Sequence, residues 1–176
     1  MRGLTAEYGL LAGYVQGARG RVLRPILIPG NGIKGEWRAR ITGQLPSLTA
    51  EPEHSRAHLL GEPLAISAID WVTALTAATL AEGLAYPRLF SALDGVLSAV
   101  ELAPAARRWA GAVARYEELL LTELGYSDDL PKDGAAPVAM MAKNRARLVE
   151  HVLGEHKGDV MAARERLVER LKRATV

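Results

Sequence analysis

An unbroken alternation of apolar and charged residues over residues 33–41 constrains the fold of this chain more than any other feature. The segment is Ile-Lys-Gly-Glu-Trp-Arg-Ala-Arg-Ile. Successive side chains of a β-strand point to opposite faces, so the apolar residues are expected on one face and the charged residues on the other. The charged set is Lys34, Glu36, Arg38 and Arg40. Such a strand needs a small β domain behind its apolar face.

Residues 4–52 are predicted to form short antiparallel strands, because apolar runs alternate there with turn signals. Strands are expected at residues 10–15, 22–28, 33–42 and 45–50. Pro25 places the second strand at an edge or a bulge, and the Asn-Gly pair at 31–32 is typical of a tight hairpin. Such strands suggest a small barrel or sandwich, but four make a poor closed barrel and about 50 residues are marginal for an independent core.

From residue 63 onward the apolar residues recur at helical spacing. Helices are predicted at 65–81, from Pro87, from Pro104 to Gly125, at 138–153 and after Asp159. Proline suits the first helical position and glycine the end of a helix. The chain is therefore predicted to be α+β, with a β domain at 1–55, a helical domain at 56–176 and a linker near 127–137.

Composition excludes several classes of protein. The 176 residues contain no cysteine, which rules out disulfides, thiolate metal sites and a cysteine nucleophile. The N-terminus lacks the pattern of a signal peptide, and the weakly polar run 63–81 contains Asp70, which is costly in a membrane span. We therefore expect a cytoplasmic protein with no membrane partner.

Charge is divided along the chain. Residues 1–44 carry seven Lys/Arg against two acids, residues 45–130 carry five against twelve, and residues 131–176 carry ten against six. The balances of +5, −7 and +4 sum to the net charge of +2. This pattern indicates distinct surfaces for distinct partners.

Two motifs could be mistaken for sites. Residues 30–35 match the dinucleotide pattern G-x-G-x-x-G, but they lead into an alternating strand instead of a helix, so a hairpin is the better interpretation. His54 and His58 lie near three glutamates without a helical stripe, and too few ligands converge for zinc. No nucleophile elbow, phosphate loop or carboxylate pair is present either. We expect no catalytic residue, no metal and no cofactor.

The basic residues of the N-terminal part are the first candidate site. The candidate nucleic-acid contacts are Arg19, Arg21, Arg24, Lys34, Arg38 and Arg40, and Arg2 extends the basic set. The rigid fork of arginine suits phosphate, and Tyr8 and Tyr14 could stack on bases, although core packing is the preferred interpretation for at least one of them. The competing interpretation is an ordinary solvated sheet face.

The helical part offers a second candidate site. The candidate residues are Arg108, Arg115, Tyr116 and Leu119, with Arg107 and Trp109 beside them. A cation next to an apolar groove can bind an acidic, hydrophobic peptide tail. Alternatively, Arg107 and Arg108 are solvated and Arg115 pairs with Glu118 along the helix.

Several segments, in this order and spacing, resemble the RecO family of bacterial recombination mediators in DNA repair. They are Leu-Thr-Ala-Glu-Tyr-Gly-Leu-Leu at 4–11 with Gly-Ala-Arg at 17–19, Pro-Arg-Leu-Phe at 87–90, Arg-Tyr-Glu at 115–117 with Leu-Gly-Tyr at 124–126, and Ala-Ala-Arg-Glu-Arg-Leu at 162–167. The likeness covers most of residues 2–126 and 146–174.

The resemblance implies an N-terminal OB-like barrel followed by a helical domain, with no catalysis of bond chemistry. It also implies binding to single- and double-stranded DNA, strand annealing, recruitment by the acidic C-terminal tail of SSB, and partnership with RecR in loading RecA. By motif, Arg19, Arg21, Arg38 and Arg40 would lie on the DNA side, and Arg115 would receive the SSB tail.

Two departures from the family pattern bear on these expectations. The family has a strand before the segment matched by Leu4, so the barrel is expected to be incomplete. The family also carries a module after the Leu-Gly-Tyr motif, often with four zinc-binding cysteines, and this chain bridges that position with residues 127–137. The alternative function is therefore a protein-interaction adaptor that binds the SSB tail without binding DNA.

Overall fold

Four β-strands and five α-helices make up the chain over residues 1–39, 41, 43–103, 105–127, 136–154 and 158–174, which the computed structural model describes. The strands are β1 (Arg2–Thr5), β2 (Gly9–Ala12), β3 (Gly32–Arg38) and β4 (Ser47–His54). The helices are α1 (Pro63–Thr79), α2 (Pro87–Leu102), α3 (Ala110–Glu123), α4 (Pro137–Arg147) and α5 (Gly158–Ala174). The predicted α+β class is confirmed.

The four strands form two antiparallel hairpins that a short bridge joins into one curled layer. β1 pairs with β2, and β3 pairs with β4. Between them, the N–H of Tyr14 donates to the carbonyl of Pro46 and the N–H of Leu48 donates to that of Tyr14, both at 2.8 Å. The resulting order is β1-β2-β4-β3. The layer curls so far that a Cβ on Gly3 would lie 3.5 Å from the Trp37 ring.

The prediction of a strand at residues 22–28 was wrong. This segment forms consecutive turns, closed by hydrogen bonds from the N–H of Arg24 to the carbonyl of Gly20 and from the N–H of Leu27 to that of Leu23. Pro25 has no N–H to donate to a ladder, and Asn31 caps the carbonyls of Pro25 and Ile26 with its side chain. The strand β1 was not predicted, because four residues with Gly3 among them carry little alternation.

The helical periodicity was a reliable guide. Pro63, Pro87 and Pro137 each begin a helix, and Gly125 and Gly154 follow helical segments with positive φ angles of 80° and 57°. The helix expected from Pro104 begins only at Ala110, after a 3₁₀ turn at Ala106–Arg108. The last turn of the helix at 138–153 widens into π geometry at Leu148–Leu153. None of the helices in the described ranges has the length and apolar character of a membrane span.

The main hydrophobic core lies among the helices and extends under the first hairpin. Leu10 of β2 is buried in the same cluster as Trp71, Trp109 and Leu120, and Leu4 packs against it. A smaller cluster of Val15, Leu48 and Ala50 lies behind the apolar face of β3 and β4. The β1–β2 hairpin is thus packed on the helical core, and the division at residue 55 stays a prediction.

One buried ion pair links four of the five helices. Glu117 on α3 is fully buried, and its carboxylate accepts hydrogen bonds from Arg164 of α5 at 2.8 and 3.0 Å. Trp71 of α1 donates to the same carboxylate at 2.9 Å, and Asn144 of α4 donates at 3.2 Å. Burial raises the pKa of Glu117, and the charge and hydrogen bonds of Arg164 oppose that rise. Arg164 also donates to the carbonyl of Met141, so both charges are well solvated by protein groups.

We expect Arg164→Ala to lower the free energy of unfolding by about 3–5 kcal/mol, because it leaves the Glu117 carboxylate buried without its charge partner. Urea denaturation followed by circular dichroism measures this change. The control is Lys172→Ala on the exposed side of α5, for which a change within about 0.5 kcal/mol is expected. Equal losses for both variants would show that the buried pair is not a main support of the fold.

Candidate nucleic-acid and peptide interfaces

The polar face of β3 and β4 carries both signs of charge. Lys34, Glu36 and Arg38 are exposed on one face of β3, as the alternation predicts. Arg38 donates to Glu36 at 2.9 Å, and this hydrogen bond and its charge lower the pKa of Glu36. Glu51 of β4 lies directly opposite Lys34 in the register. The described part of this face is therefore close to neutral instead of a row of cations, and Arg40 lies outside the described residues.

The loop at residues 16–30, which we call the arginine loop, carries the unopposed positive charge. Arg19, Arg21 and Arg24 are exposed on it, and residues 8–35 contain no acid. The loop is anchored by Ala18, Leu23 and Leu27, which pack against the cluster of Val15, Leu48 and Ala50. Since that cluster lies on the apolar face of the β3–β4 hairpin, the loop covers the side of the hairpin opposite to Lys34 and Arg38. The structure therefore divides the predicted basic set between two faces.

Both N-terminal tyrosines are exposed, so neither is a core residue. Tyr8 lies in the β1–β2 turn with 63% of its surface exposed, and Tyr14 is 60% exposed. Tyr14 forms a bridge with Ser47, which is itself opposite Arg38. Because bridge partners share a face, the Tyr14 side chain lies on the same polar face as Arg38, with the Ser47 position between them. This position allows the ring to stack on a base.

The helical candidates divide between surface and core. Arg108 and Arg115 are exposed, and Leu119 is half-buried one turn beyond Arg115. Tyr116 is 1% exposed, and its hydroxyl bonds the Thr76 hydroxyl at 2.5 Å. Burial raises the pKa of Tyr116 to about 12. Tyr116 is thus a core residue that positions α3 and is not available to a docked peptide.

The exposed helical residues form a stripe along α3 and the turn before it. The guanidinium of Arg115 lies over Gly111, 3.6 Å from where a Cβ would be. No ion pair joins Arg115 to Glu118 in the described part of the chain, so the pairing considered from the sequence is not formed. Arg108 lies on the 3₁₀ turn that precedes α3, and Arg115 lies on the second turn of α3. This stripe is a cationic surface next to Leu119.

His54 and His58, considered above as zinc ligands, lie instead near the carboxylate of Glu101 on α2. The ring Nε2 of His54 lies 2.8 Å from the Glu101 carboxylate, Arg56 lies 3.1 Å from it, and His58 lies 3.9 Å from it. Burial raises the pKa of Glu101, but the hydrogen bond from His54 and the charges of Arg56, His54 and His58 lower it more, so this pKa lies below its ordinary value. No group of three potential metal ligands occurs among the described residues.

Sequence reasoning missed the clusters around Glu101 and Glu117. Both are built from residues distant in the chain, 47 apart for His54 and Glu101 and 47 apart for Glu117 and Arg164. The only available signal was an acid at an apolar helix position, since Glu117 follows the buried Tyr116 within a helical stripe. That signal predicts that the Glu117 side chain is buried, but it does not identify the residue that pairs with it.

Several known proteins are similar to this chain, and the three described here carry the same name. No family model matches the chain. The DNA repair protein RecO of Gluconacetobacter diazotrophicus is 35% identical over 83% of this chain and 60% of its own length. RecO of Paracoccus denitrificans is 38% identical over 72% of this chain and 51% of its own length, and RecO of Phenylobacterium zucineum is 31% identical over 91% and 67%. The chain thus spans about half to two thirds of the length of these relatives.

We expect Glu101→Gln to lower the free energy of unfolding by about 1–2 kcal/mol at neutral pH, because it removes charge-assisted hydrogen bonds. A group whose pKa is depressed in the folded state stabilises it above its unfolded pKa, and this contribution disappears as pH falls below 4.5. The difference between Glu101→Gln and the unmodified chain should therefore shrink between about pH 6 and about pH 3 in urea titrations. Glu62→Gln is the exposed control, and a constant difference across this range would contradict the assignment.

Proposed function

The chain belongs to the RecO family, and from this membership and the arginine loop we propose that it is a DNA-binding mediator of DNA repair. In this proposal it binds single- and double-stranded DNA, anneals strands and, with RecR, helps to load RecA on SSB-coated DNA. In this proposal the chain acts by binding alone and catalyses no formation or cleavage of covalent bonds. The partnership with RecR rests on family membership, and the two surfaces described above supply physical arguments for DNA and for the SSB tail.

The observation that carries DNA binding is the arginine loop. Three exposed arginines lie within six residues, and no acid occurs between Glu7 and Glu36 to offset them. Arginine binds phosphate with a planar pair of donors, and each neutralised phosphate releases a counterion. The loop backbone is ordered by its own turns and by packing against the sheet, so the cations are presented at a small entropic cost.

The polar face contributes less affinity in this proposal. Its cations Lys34 and Arg38 are offset by Glu36 and Glu51, so its net attraction for phosphate is small. Its contribution is the exposed ring of Tyr14, on which a base of single-stranded DNA can stack. This arrangement favours the arginine loop as the main electrostatic contact and the tyrosine as a local one.

The stripe on α3 supports binding of the acidic SSB tail. Arg108 and Arg115 have no ion-pair partner among the described residues, so both are available to carboxylates. Leu119 offers an apolar contact at the end of the stripe. An acidic peptide with an apolar end matches this order of charges and surface.

We expect binding of a labelled single-stranded oligonucleotide to weaken with salt, with a slope of log affinity against log salt of about −2, since each of three neutralised phosphates contributes about −0.7. The triple variant Arg19→Gln, Arg21→Gln, Arg24→Gln should bring this slope close to zero. Fluorescence anisotropy across a salt series measures both. The control Lys172→Gln, Arg173→Gln, which removes two exposed positive charges from α5, should keep the original slope.

A double variant with Lys34→Gln and Arg38→Gln tests whether the polar face contributes less to DNA binding than the arginine loop does. This double variant should change the slope less than the loop variant does, because Glu36 and Glu51 already offset these cations. A loop variant with unchanged affinity would remove the arginine loop from the DNA surface. Absence of binding even at low salt would favour the second candidate function, an adaptor that holds the SSB tail only, for which the near-neutral polar face is the supporting observation.

For the SSB tail, we expect Arg115→Glu to weaken binding of a labelled peptide with the acidic C-terminal sequence of SSB by about tenfold or more, because attraction becomes repulsion at the centre of the stripe. The matched control is Arg107→Glu, which makes the same charge change one position outside the stripe. Anisotropy titrations of both variants measure the effect. Similar losses for the two would indicate a general charge effect instead of a site on α3.

A further inference from the structure

A chain of hydrogen bonds joins the arginine loop to the segment that follows β4. Asn31, which comes directly after the loop, donates from its side-chain amide to the carbonyls of Pro25 and Ile26 at 3.1 and 3.0 Å. The side-chain oxygen of Asn31 accepts from the N–H of Arg56 at 2.8 Å. One asparagine side chain therefore holds the backbone next to Arg24 and connects it to Arg56.

Arg56 continues this connection to α2. Its guanidinium donates to the carbonyl of Gly30 at 2.5 Å and forms an ion pair with the Glu101 carboxylate at 3.1 Å. Arg56 is 6% exposed, and a buried charge without its partners is costly, so the side chain is held in this position. The last residue of the arginine loop is thereby attached to α2.

The carboxylate of Glu101 is itself held from a second side. The ring Nε2 of His54, at the end of β4, lies 2.8 Å from this carboxylate. The side chain of Glu101 is 17% exposed, so water screens these interactions only in part. Glu101 is therefore a fixed point to which Arg56 attaches the loop.

Gly30 also lies directly on the helices. Its φ angle is 84°, and a Cβ at this position would lie 2.6 Å from the Cγ2 atom of Ile69 and 3.5 Å from Leu97. Glycine is the residue that adopts this conformation and leaves this space free. The end of the arginine loop is thus fitted to α1 and α2 by shape as well as by the hydrogen bond from Arg56.

The conformation of the loop between its ends depends on short local turns. The N–H of Arg24 donates to the carbonyl of Gly20, and the N–H of Leu27 donates to that of Leu23, both at 3.0 Å. Single helical turns are marginal in water without tertiary support. The direction of the loop arginines therefore depends on the packing of the loop on the sheet and on its attachment to α2.

We propose that Asn31, Arg56 and Glu101, which we call the loop anchor, are positioning residues that hold the arginine loop in the conformation that binds DNA. This inference rests on the proposed function. A loop that is competent for only a fraction of the time binds more weakly by that fraction. An acid on α2 therefore increases the affinity for an anion that it does not contact. Simple electrostatics predicts the opposite, since removal of an acid makes the chain more positive.

The variant Glu101→Gln tests this difference in sign. The matched control is Glu123→Gln, because Glu123 pairs with Arg88 of α2 at 2.6 Å and its side chain is 20% exposed. Both variants lose the same charge, and anisotropy with a labelled single-stranded oligonucleotide at low salt measures the affinity. We expect about fivefold weaker binding by Glu101→Gln, and unchanged or tighter binding by Glu123→Gln. Equal effects of the two variants, or tighter binding by Glu101→Gln, would overturn the loop anchor.

A second pair of variants leaves the net charge unchanged. Arg56→Lys keeps the positive charge, but a single ammonium cannot replace the planar fork that reaches both the Gly30 carbonyl and Glu101. We expect this variant to bind the oligonucleotide about fivefold more weakly, and Arg88→Lys on the exposed side of α2 to bind as the unmodified chain does. Unchanged binding by Arg56→Lys would contradict the role of the guanidinium.

Hydrogen exchange without DNA tests the loop anchor independently of the proposed function. The amides of Arg24 and Leu27 should exchange at least about tenfold faster in Glu101→Gln than in Glu123→Gln, because only the first variant releases the loop. Equal exchange rates in the two variants would overturn the loop anchor even if the chain binds DNA. Failure of the unmodified chain to bind DNA would instead remove the proposed function, and the exchange rates would then decide whether Glu101 orders the loop.

Discussion

The ion pair of Glu117 and Arg164 is the constraint on which the arrangement of the helices depends. A carboxylate without access to water needs several donors, and here they come from α1, α4 and α5 at once. Each donor fixes the rotation of its helix, because a turn of α5 about its axis would leave both charges buried without partners. The same packing places Tyr116 against Thr76, so the neighbouring Arg115 must point outward. The exposed stripe on α3 is therefore a consequence of the buried network.

The strand layer depends in a similar way on Trp37. Its ring lies beside Gly3, Gly13 and Gly35, and a Cβ at Gly13 would approach its Nε1 to 3.0 Å. A Cβ at Gly35 would approach the ring to 3.1 Å, so Gly13 and Gly35 allow the layer to curl tightly around the indole, whereas a Cβ at Gly3 would make an ordinary contact with it. The curl brings β1 towards β3 without pairing them. The arginine loop covers the apolar side of the β3–β4 hairpin by packing on Leu48 and Ala50.

Electrostatics divides the surface among partners of different kinds. The arginine loop is positive and has no acid nearby in the chain, whereas the polar face of β3 and β4 carries both signs of charge. An anionic partner would be attracted more strongly to the first than to the second. The small net charge of +2 conceals this division, which is why the charge of separate segments is more informative than the total.

The sequence by itself determined the elements and the direction of many side chains. The period of two over residues 33–41 gave β3 and its exposed charges, and the period of 3.6 with proline and glycine at the ends gave the helices, because these patterns follow from local backbone geometry. Only the tertiary structure determined which residues of the chain contact each other. It placed Glu51 opposite Lys34, Glu101 beside His54 and Arg164 on Glu117, and it put Arg19 and Arg38 on opposite sides of one hairpin. A local period fixes which face a residue occupies, but register and helix packing join residues distant in sequence, and no local pattern contains that information.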